Sequence, residues 1–307
     1  MRNEKTATAY VVATKDRPAE LGRLLRSLEA QTRLPDEILV VDGGRESVEA
    51  LCRGVRAFPV RHMRCLPPSA ARQRNAGLEA ASPEARLIGF LDDDVVLDEH
   101  AVENMIRFWE SADERTGGAA FNMMNHPSTA LAGIKLSPFS EAAGLYSRRR
   151  GAVSPAGFQT MIGRVGANDS FDWLPSTASV WRRDVFAGFR FDEWYAGYSY
   201  LEDLDFSYRV GKRFRLAVVA DAGYLHLPAA SGRGNGFEFG RREIVNRIHF
   251  VRKNPELSIP RCYMAMAVRL LMSLGLGLRR RDSYHLQRAW GNVVGLGLSL
   301  GRIGRAA

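Results

Sequence analysis

The chain has 307 residues, 46% of them hydrophobic and 25% charged, which excludes a disordered or low-complexity protein and allows one large domain or two smaller ones. Its three cysteines, Cys52, Cys65 and Cys262, form no CxxC pair, which argues against a disulfide framework or a zinc site and for a reducing compartment. The net charge of +9 belongs to the end of the chain: residues 241–307 carry 13 Lys and Arg against 3 Asp and Glu, whereas residues 1–240 carry 30 against 31.

The first 112 residues predict four strands that alternate with four helices. The apolar, β-branched run at 8–14 predicts a buried strand, and Lys15 ends it too early for a signal peptide. Pro18 then begins a helix whose leucines recur on one face. The same alternation predicts strands at 37–42, 58–66 and 86–92, and helices near 48–55, at 69–81 and at 98–112. This order is typical of βαβ units on a mostly parallel α/β sheet.

The remainder of the chain is less regular. Residues 118–171 are rich in Gly, Ser, Pro and Arg and support no assignment. The stretch YLEDLDFSYRVG, residues 200–211, predicts a helix, and FRLAVVAD, residues 214–221, predicts a strand. From about residue 238 the pattern is helical to the end. We therefore predict one domain at 1–237 and a basic, apolar helical extension at 238–307.

Three consecutive aspartates, Asp92, Asp93 and Asp94, follow the apolar run of the fourth strand in LIGFLDDDVV. One Asp would suit a turn that caps the next helix, but three like charges need a positive partner, and no run of Lys or Arg adjoins them. Residues i and i+2 of an extended segment point the same way, so Asp92 and Asp94 can converge while Asp93 faces elsewhere. The partner we expect is Mg²⁺ or Mn²⁺, which joins carboxylates to substrate phosphates.

Two other segments predict contacts to a nucleoside diphosphate. Asp42 ends the second strand with Gly43 behind it, where a base or ribose has room, although an ordinary turn carboxylate is the alternative. Arg74 and Asn75 lie near the start of a helix, where guanidinium and N–H groups meet phosphate, although a solvated helix face is the alternative. The carboxyl ends of parallel strands share one sheet edge, so these residues are expected beside the loop at 14–17.

Further along, Glu202, Asp203 and Asp205 form an acidic cluster within one helical turn, and His226 follows the strand at 214–221. Acidic clusters are common on solvated surfaces. A lone His among apolar neighbours is more often a core residue than a metal ligand. Both readings stay open on the residues alone.

The order of the motifs VVATKDRP, EILVVDGG, RNAG, FLDDDV, WLPSTASVWRRDVF, LEDLDFSYRV and YLH resembles the family 2 glycosyltransferases of GT-A fold, over about residues 7–250. The resemblance implies a mostly parallel, Rossmann-like sheet flanked by helices. It also implies an inverting enzyme of the kind used in surface-polysaccharide assembly.

The resemblance also implies residue roles. Asp203, beside Glu202, would be the catalytic base, and Asp94 would hold Mg²⁺ or Mn²⁺ with Asp92 and His226. Residues implied in nucleotide-sugar binding are Thr14, Asp16, Arg17, Asp42, Arg74, Asn75, Asp92 and Asp93. Residues implied in acceptor binding are Trp173, Ser176 and Thr177.

The expected reaction transfers a sugar from a nucleoside-diphosphate sugar, UDP or dTDP favoured, to a hydroxyl of a saccharide or lipid-linked saccharide. A sugar-nucleotide pyrophosphorylase is an alternative, but the N-terminal region lacks a glycine-rich phosphate loop with a Lys. A basic nucleic-acid-binding protein is a second alternative. The basic excess lies outside the acidic candidate site, so we expect no nucleic-acid partner.

The basic tail predicts a contact of its own. Residues 262–278 are apolar except for Arg269 and Ser273, and three arginines follow at 279–281. On a helical wheel Arg269, Ser273 and Arg280 share one narrow stripe. The run is short for a membrane span, so the alternatives are packing on the catalytic domain and an amphipathic helix at the membrane interface. We expect a cytoplasmic protein that contacts the inner face of the cell membrane through residues 260–302.

Overall fold

The computed structural model describes residues 7–126, 138–197, 199–228 and 235–301. The chain divides into two compact units, residues 1–129 with 162–229, and residues 130–161 with 230–307. The first contains the sheet and its helices, and the second contains the C-terminal helices. The predicted boundary after residue 237 lies close to this division, but the sequence did not indicate that residues 130–161 belong with the C-terminal helices.

The first half of the sheet unit follows the predicted alternation. Its elements are β1 (Thr8–Thr14), α1 (Pro18–Glu29), β2 (Glu37–Asp42), α2 (Glu49–Gly54), β3 (Val60–Arg64), α3 (Ala70–Ala80), β4 (Leu87–Asp92), β5 (Val95–Leu97) and α4 (Ala101–Ser111). The second half contains β6 (Thr116–Met123), β7 (Asp169–Ser170), β8 (Ala178–Arg182), a 3₁₀ turn (Arg183–Ala187), α6 (Glu202–Gly211) and β9 (Arg215–His226). Helix α5 (Pro138–Ala142) belongs to the other unit.

In the described part of the unit the strand order is β3-β2-β1-β4-β8-β6-β9-β5, with β7 paired to β9. The four strands β3, β2, β1 and β4 are parallel, as predicted. Strand β8 pairs antiparallel with both β4 and β6, so the second half of the sheet is mixed. The α/β class is confirmed. In this parallel half a helix follows each strand, because two adjacent parallel strands can be joined only by a crossover connection.

Each face of the sheet has its own core. On one face Leu21, Leu24 and Leu28 of α1, all with no exposed surface, pack against β1 and β2, which confirms the predicted helix face. Met105 of α4 lies in the same core, whereas Trp109 is only partly buried. On the other face α3, α6 and the 3₁₀ turn cover the same strands. A strand buried on both faces carries a continuous apolar run, as β1 and β2 do.

The second unit contains α5 (Pro138–Ala142), α7 (Gly236–Lys253), α8 (Ile259–Arg280) and α9 (Ser283–Gly301). Its internal segment is tied to the helices, because Tyr146 donates to the carbonyl of Ala265 at 3.2 Å and Arg247 to the carbonyl of Gly157 at 2.6 Å. Gly240 lets α7 approach α9 closely, since a Cβ there would lie 2.2 Å from the carbonyl oxygen of Arg288. The predicted helical tail is therefore three helices with breaks at 254–258 and 281–282.

Glu243 connects these three helices. Its carboxylate is 1% exposed and accepts from Arg269 of α8 at 2.7 Å and from Arg288 of α9 at 2.8 Å. Although burial acts in the opposite direction, the charges of Arg269 and Arg288 lower the pKa of Glu243. Arg269 therefore points into the helical unit and not towards a membrane surface.

Candidate functional site

The register of the parallel strands sets the candidate site. Thr14 at the end of β1 lies opposite Asp42 at the end of β2, and Ala13 lies opposite Asp92 at the end of β4. The carboxyl ends of three strands and their loops therefore meet at one edge of the sheet. The sequence predicted this placement, and all the candidate residues described below belong to the sheet unit.

Asp93 faces β1. Its carboxylate accepts a hydrogen bond from the Thr14 hydroxyl at 2.7 Å and one from Arg17 Nη1 at 3.0 Å. Only 3% of the residue is exposed. Burial raises the pKa of Asp93 to about 6, against the opposing effects of Thr14 and Arg17. Asp93 thus fixes the loop after β1, and with it Arg17, beside the aspartate run.

Asp94 lies between Arg17 and His226. One oxygen is 3.3 Å from Arg17 Nη1, and the other is 3.3 Å from Nε2 of His226. The antiparallel pairing of β5 with β9 sets His226 opposite Val95, and the backbone of Leu227 donates to the Asp94 carbonyl at 2.8 Å. The end of β9 is therefore held against the aspartate run, which brings together two residues 132 positions apart.

Arg74 is the buried centre of the site, 5% exposed. Its Nη2 donates to Asp92 at 2.8 Å and its Nη1 donates to Glu202. Burial raises the pKa of Glu202 to about 8, and burial also raises the pKa of Asp92; the charge of Arg74 opposes both shifts. Arg17 and Arg74 are thus positive partners of the three aspartates. The sequence predicted only a metal ion in that role.

Helix α6 begins at Glu202, and two of the three residues before it have positive φ. Ser199 has φ 49° and Leu201 has φ 78°, a region that non-glycine residues rarely adopt. Such strained backbone is often found at functional sites. Asp203 is partly exposed, its Oδ1 accepts from the Leu204 amide at 2.7 Å, and burial raises its pKa. Asp205, by contrast, is buried and pairs with Arg209 on the same helix at 2.9 Å.

Asp42 has no exposed surface and is held by its neighbours. Its carboxylate accepts from the amides of Gly44 at 2.7 Å and Val48 at 3.2 Å and from Arg64 at 2.6 Å. Although burial opposes the shift, these donors lower the pKa of Asp42. Arg64 was missed by sequence reasoning. Arg64 ends β3, and the parallel pairing of β3 with β2 sets it opposite Asp42. Its position at the end of the neighbouring parallel strand was the signal in the sequence that could have identified it.

The loops after β1 and β2 are joined by Asp16. This residue has φ 54°, and its carboxylate accepts from the amide of Arg45 at 2.6 Å. A Cβ on Gly44 would lie 2.9 Å from the Asp16 amide nitrogen, so the close approach of the two loops requires glycine there. Asp16 therefore shapes the edge of the site beside Asp42.

The other predicted residues lie deeper. Asn75 bonds to the backbone of Phe191 through both its amide nitrogen, at 2.9 Å, and its oxygen, at 3.1 Å, so it anchors that segment. Trp173 is 3% exposed, which leaves its ring little surface for a sugar. The carbonyl of Thr177 accepts from the Asp92 amide at 2.8 Å, and Ser176 next to it is 1% exposed.

The donor set allows a test of whether a divalent cation fits. Mg²⁺ and Mn²⁺ prefer carboxylate oxygens, and Asp92 and Asp94, with the imidazole of His226, supply suitable ligands. Carboxylates outnumber guanidinium groups in the cluster, so a further cation is electrostatically favourable. Among the described residues no three His, Cys, Asp or Glu side chains are grouped closely enough to hold a metal as they stand. A cation at Asp94 would share that carboxylate with Arg17.

The comparisons with known proteins concern the family and the fold. Residues 10–128 match the family model "Glycosyl transferase family 2". The chain is similar in fold to residues 1–349 of S. aureus TarS in complex with UDP-GlcNAc, with a TM-score of 0.55 and 15% identity over 92% of this chain and 78% of that one. It is also similar to the mannosyltransferase PcManGT from Pyrobaculum calidifontis in complex with GDP-Man and Mn²⁺, with a TM-score of 0.55 and 12% identity over 94% and 86%. No curated protein matches the sequence.

The fold is therefore that of the GT-A glycosyltransferases, and the family match over residues 10–128 supports a glycosyltransferase. The matched residues 10–128 include every aspartate of the triple run. The predicted family is confirmed, and the pyrophosphorylase alternative is set aside. The structural likenesses, at 12–15% identity, concern the fold and leave the individual residue roles to be argued from this chain.

Proposed function

We propose that the protein is an inverting, metal-dependent glycosyltransferase. The donor would be a nucleoside-diphosphate sugar, UDP or dTDP favoured, and the acceptor a hydroxyl of a saccharide or lipid-linked saccharide. The observation that carries the proposal is the arrangement around Arg74, which joins Asp92 of the aspartate run to Glu202 at the start of α6. One buried residue thereby sets the candidate metal ligands beside the candidate base.

Asp94, Asp92 and His226 would hold Mg²⁺ or Mn²⁺. The ion, when bound, would supply positive charge that neutralises the departing nucleoside diphosphate. Arg17, now between Asp93 and Asp94, has a partly exposed guanidinium that can turn towards the diphosphate when a metal takes its place. Arg74 is too buried to reach a phosphate directly, so we assign it the task of orienting Asp92 and Glu202.

Asp42 would form the floor of the nucleotide pocket. Its carboxylate already accepts from two backbone amides and Arg64, so a base would share these oxygens. Arg64 has a side chain that is 34% exposed and adds a donor beside that floor. Thr14 would contribute to the nucleotide site indirectly, because its hydroxyl donates to Asp93.

Asp203 is the proposed general base. It is more exposed than Glu202, and its raised pKa makes it a better proton acceptor than an ordinary Asp. Glu202 is buried against Arg74 and has less access to an acceptor hydroxyl. In the proposed reaction the acceptor oxygen attacks the anomeric carbon from the side opposite the diphosphate, and its proton passes to Asp203. The strained residues before α6 would fix the direction of this carboxylate.

The test is transfer activity in variants of the Glu-Asp pair, after a thermal-shift screen of nucleoside diphosphate sugars with Mn²⁺ has found the donor. Asp203→Asn should bind that donor nearly normally and lose transfer by about 10²-fold or more. Asp205→Asn, in the same helix but paired with Arg209, is the matched control and should retain transfer. Full transfer in Asp203→Asn, with loss in Glu202→Gln, would contradict the assigned base.

We also propose that the protein is cytoplasmic and contacts the inner face of the cell membrane through residues 260–302, which would bring a lipid-linked acceptor within reach. Among the described residues one helix, α8, is long and apolar enough to cross a membrane by length and composition alone. The exposure of its side chains supports a contact at the surface.

A further inference from the structure

The exposed side chains of α8 form an apolar stripe. Met264, Leu271, Leu274 and Leu278 recur at positions i, i+7, i+10 and i+14, which lie on one side of an α-helix. Leu271 and Leu278 are 66% and 65% exposed. Large apolar side chains that are exposed singly are ordinary, whereas a contiguous row marks an interaction surface.

The opposite side of α8 is occupied within its own unit. Arg269 pairs with Glu243 of α7, and Cys262, Met266 and Ser273 are buried. Arg269 and Ser273 of the polar stripe therefore face inward, whereas Arg280 is exposed. The exposed side of α8 between Arg261 and Arg279 carries no charged side chain. Helix α9 contributes a second exposed apolar group at Trp290, 62% exposed, with Val293 one turn further on.

The charges at the ends of these helices are mostly positive. The three exposed arginines Arg279, Arg280 and Arg281 lie at the turn from α8 to α9. Between residues 257 and 301 the sequence has six arginines and a single acidic residue, Asp282, whose carboxylate contacts His285 at 2.6 Å. An apolar stripe that ends in an arginine cluster is complementary to a surface with apolar chains beneath anionic groups.

We propose that α8 and α9 form a binding surface for an anionic lipid bilayer. The exposed stripe of α8 and the ring of Trp290 enter the boundary between headgroups and acyl chains, and Arg279–Arg281 bind the lipid phosphates. Tryptophan is favoured at this boundary because its ring is apolar and its N–H stays hydrated. This surface deepens the proposed membrane contact, on which it rests, and its binding is measurable without any sugar donor, so it can fail while glycosyl transfer stands.

The same contacts argue against a helix that spans the membrane. Helix α8 packs on α7, which has seven charged residues among its 18. A spanning α8 would take Arg269 and its partner Glu243 into hydrocarbon or break their ion pair. Either change is expensive in a medium without water. An interfacial position leaves the Glu243 cluster inside the protein and uses only the side chains already exposed.

The experiment is flotation of the full chain with vesicles of neutral phosphatidylcholine and with vesicles that contain phosphatidylglycerol. We expect flotation with the anionic vesicles, reversal by 1 M salt, and a blue shift of emission that Trp290→Phe removes. Leu271→Glu with Leu278→Glu should abolish flotation. Leu34→Glu with Leu66→Glu makes the same chemical change at exposed leucines of the sheet unit and should leave flotation intact.

A second pair of variants tests the arginines without touching the apolar stripe. Arg279→Gln with Arg280→Gln should weaken partitioning by about 30-fold, since each arginine near an anionic surface contributes a factor of about five. Arg53→Gln with Arg56→Gln, exposed on and beside α2, is the control. Circular dichroism would establish that each variant keeps its helices.

Three results would overturn the proposal. The first is equal flotation of the Leu271→Glu/Leu278→Glu variant and its control. The second is flotation that resists both 1 M salt and alkaline carbonate, which would indicate a spanning helix. The third is no flotation of the native chain together with a dimer that the Leu271→Glu/Leu278→Glu variant dissociates, which would assign the stripe to a second copy of the chain.

Discussion

Replacing Arg74 is the most specific test of how the site is held together. Arg74→Gln removes the guanidinium that joins Asp92 to Glu202 but keeps a polar, uncharged side chain. Breaking a buried ion pair by removing one partner costs about 3–5 kcal/mol. The Asp92 side chain is 32% exposed and can be partly hydrated, so we expect the lower end, about 3 kcal/mol.

The loss should depend on pH in a defined direction. With Arg74 present, burial raises the pKa of Glu202 to about 8, so its carboxyl is largely protonated at pH 6 and ionises as the pH rises through 8. A raised carboxyl pKa makes the folded state less stable as the pH rises towards it, and without Arg74 the pKa rises further. The difference between Arg74→Gln and the native chain should therefore be larger at pH 9 than at pH 6.

The assay is urea unfolding followed by tryptophan fluorescence at pH 6 and pH 9. Arg72→Gln is the matched control, because Arg72 lies on the same helix, is 41% exposed and pairs with Glu193 at 3.4 Å. An exposed pair contributes about 1 kcal/mol or less. Adding Glu202→Gln to Arg74→Gln should restore most of the stability at pH 9. If Arg74→Gln matches the Arg72→Gln control at pH 9, the ion pair does not organise the site as described.

Three further predictions concern other contacts. Arg17→Met should strengthen binding of Mn²⁺ alone by about tenfold, or 1.4 kcal/mol, because one cation at Asp94 is removed; unchanged affinity by calorimetry would count against a metal there. Glu243→Gln should lower the stability of the protein at pH 7, and its stability should then fall less between pH 6 and pH 3 than that of the native chain. The lowered pKa of Glu243 stabilises the fold at pH values above the pKa of an unfolded Glu, and this stabilisation is lost as acid protonates the carboxylate. Gly240→Ala should destabilise the protein, since its Cβ would meet the backbone of α9, whereas Gly275→Ala, with open space, should be neutral or stabilising by up to about 1 kcal/mol; equal melting temperatures would contradict the packing.

The sequence predicted the parts of the fold that depend on local periodicity. The leucines of α1 and the apolar runs of β1, β2 and β4 gave correct elements because each repeats the period of its own structure. The edge with Asp42 and Asp92 followed from the rule that parallel strands end together. These inferences need no knowledge of distant contacts.

The partners of the candidate site residues could not be predicted in the same way. The ion pair of Arg74 with Glu202 joins positions 128 apart, and it depends on how the segments after β8 return to α3. The pairing of β5 with β9, which sets His226 beside Asp94, is likewise a long-range contact without a local signal. Residues 138–161 show no periodic sequence pattern. Individual long-range contacts, such as the hydrogen bond of Tyr146 to Ala265, hold this segment, and such contacts leave no periodic signal in the sequence.

The direction of Arg269 could not be predicted from the sequence, because the helical wheel identifies a polar stripe without saying what faces it. A buried Glu243 on a neighbouring helix holds Arg269 inward. The exposed side is the apolar row of Met264, Leu271, Leu274 and Leu278. The same sequence pattern is therefore compatible with two opposite orientations, and only the ion pair decides between them.

Calorimetric titration of UDP and dTDP into the protein, with and without Mn²⁺, is the decisive test of a metal-dependent nucleotide site. We expect binding that requires the metal and that is lost in Asp94→Ala but retained in Asp169→Ala, an exposed Asp on β7. Nucleotide binding of equal strength in EDTA, unaffected by Asp94→Ala, would contradict a metal-dependent nucleotide-sugar site at the aspartate run.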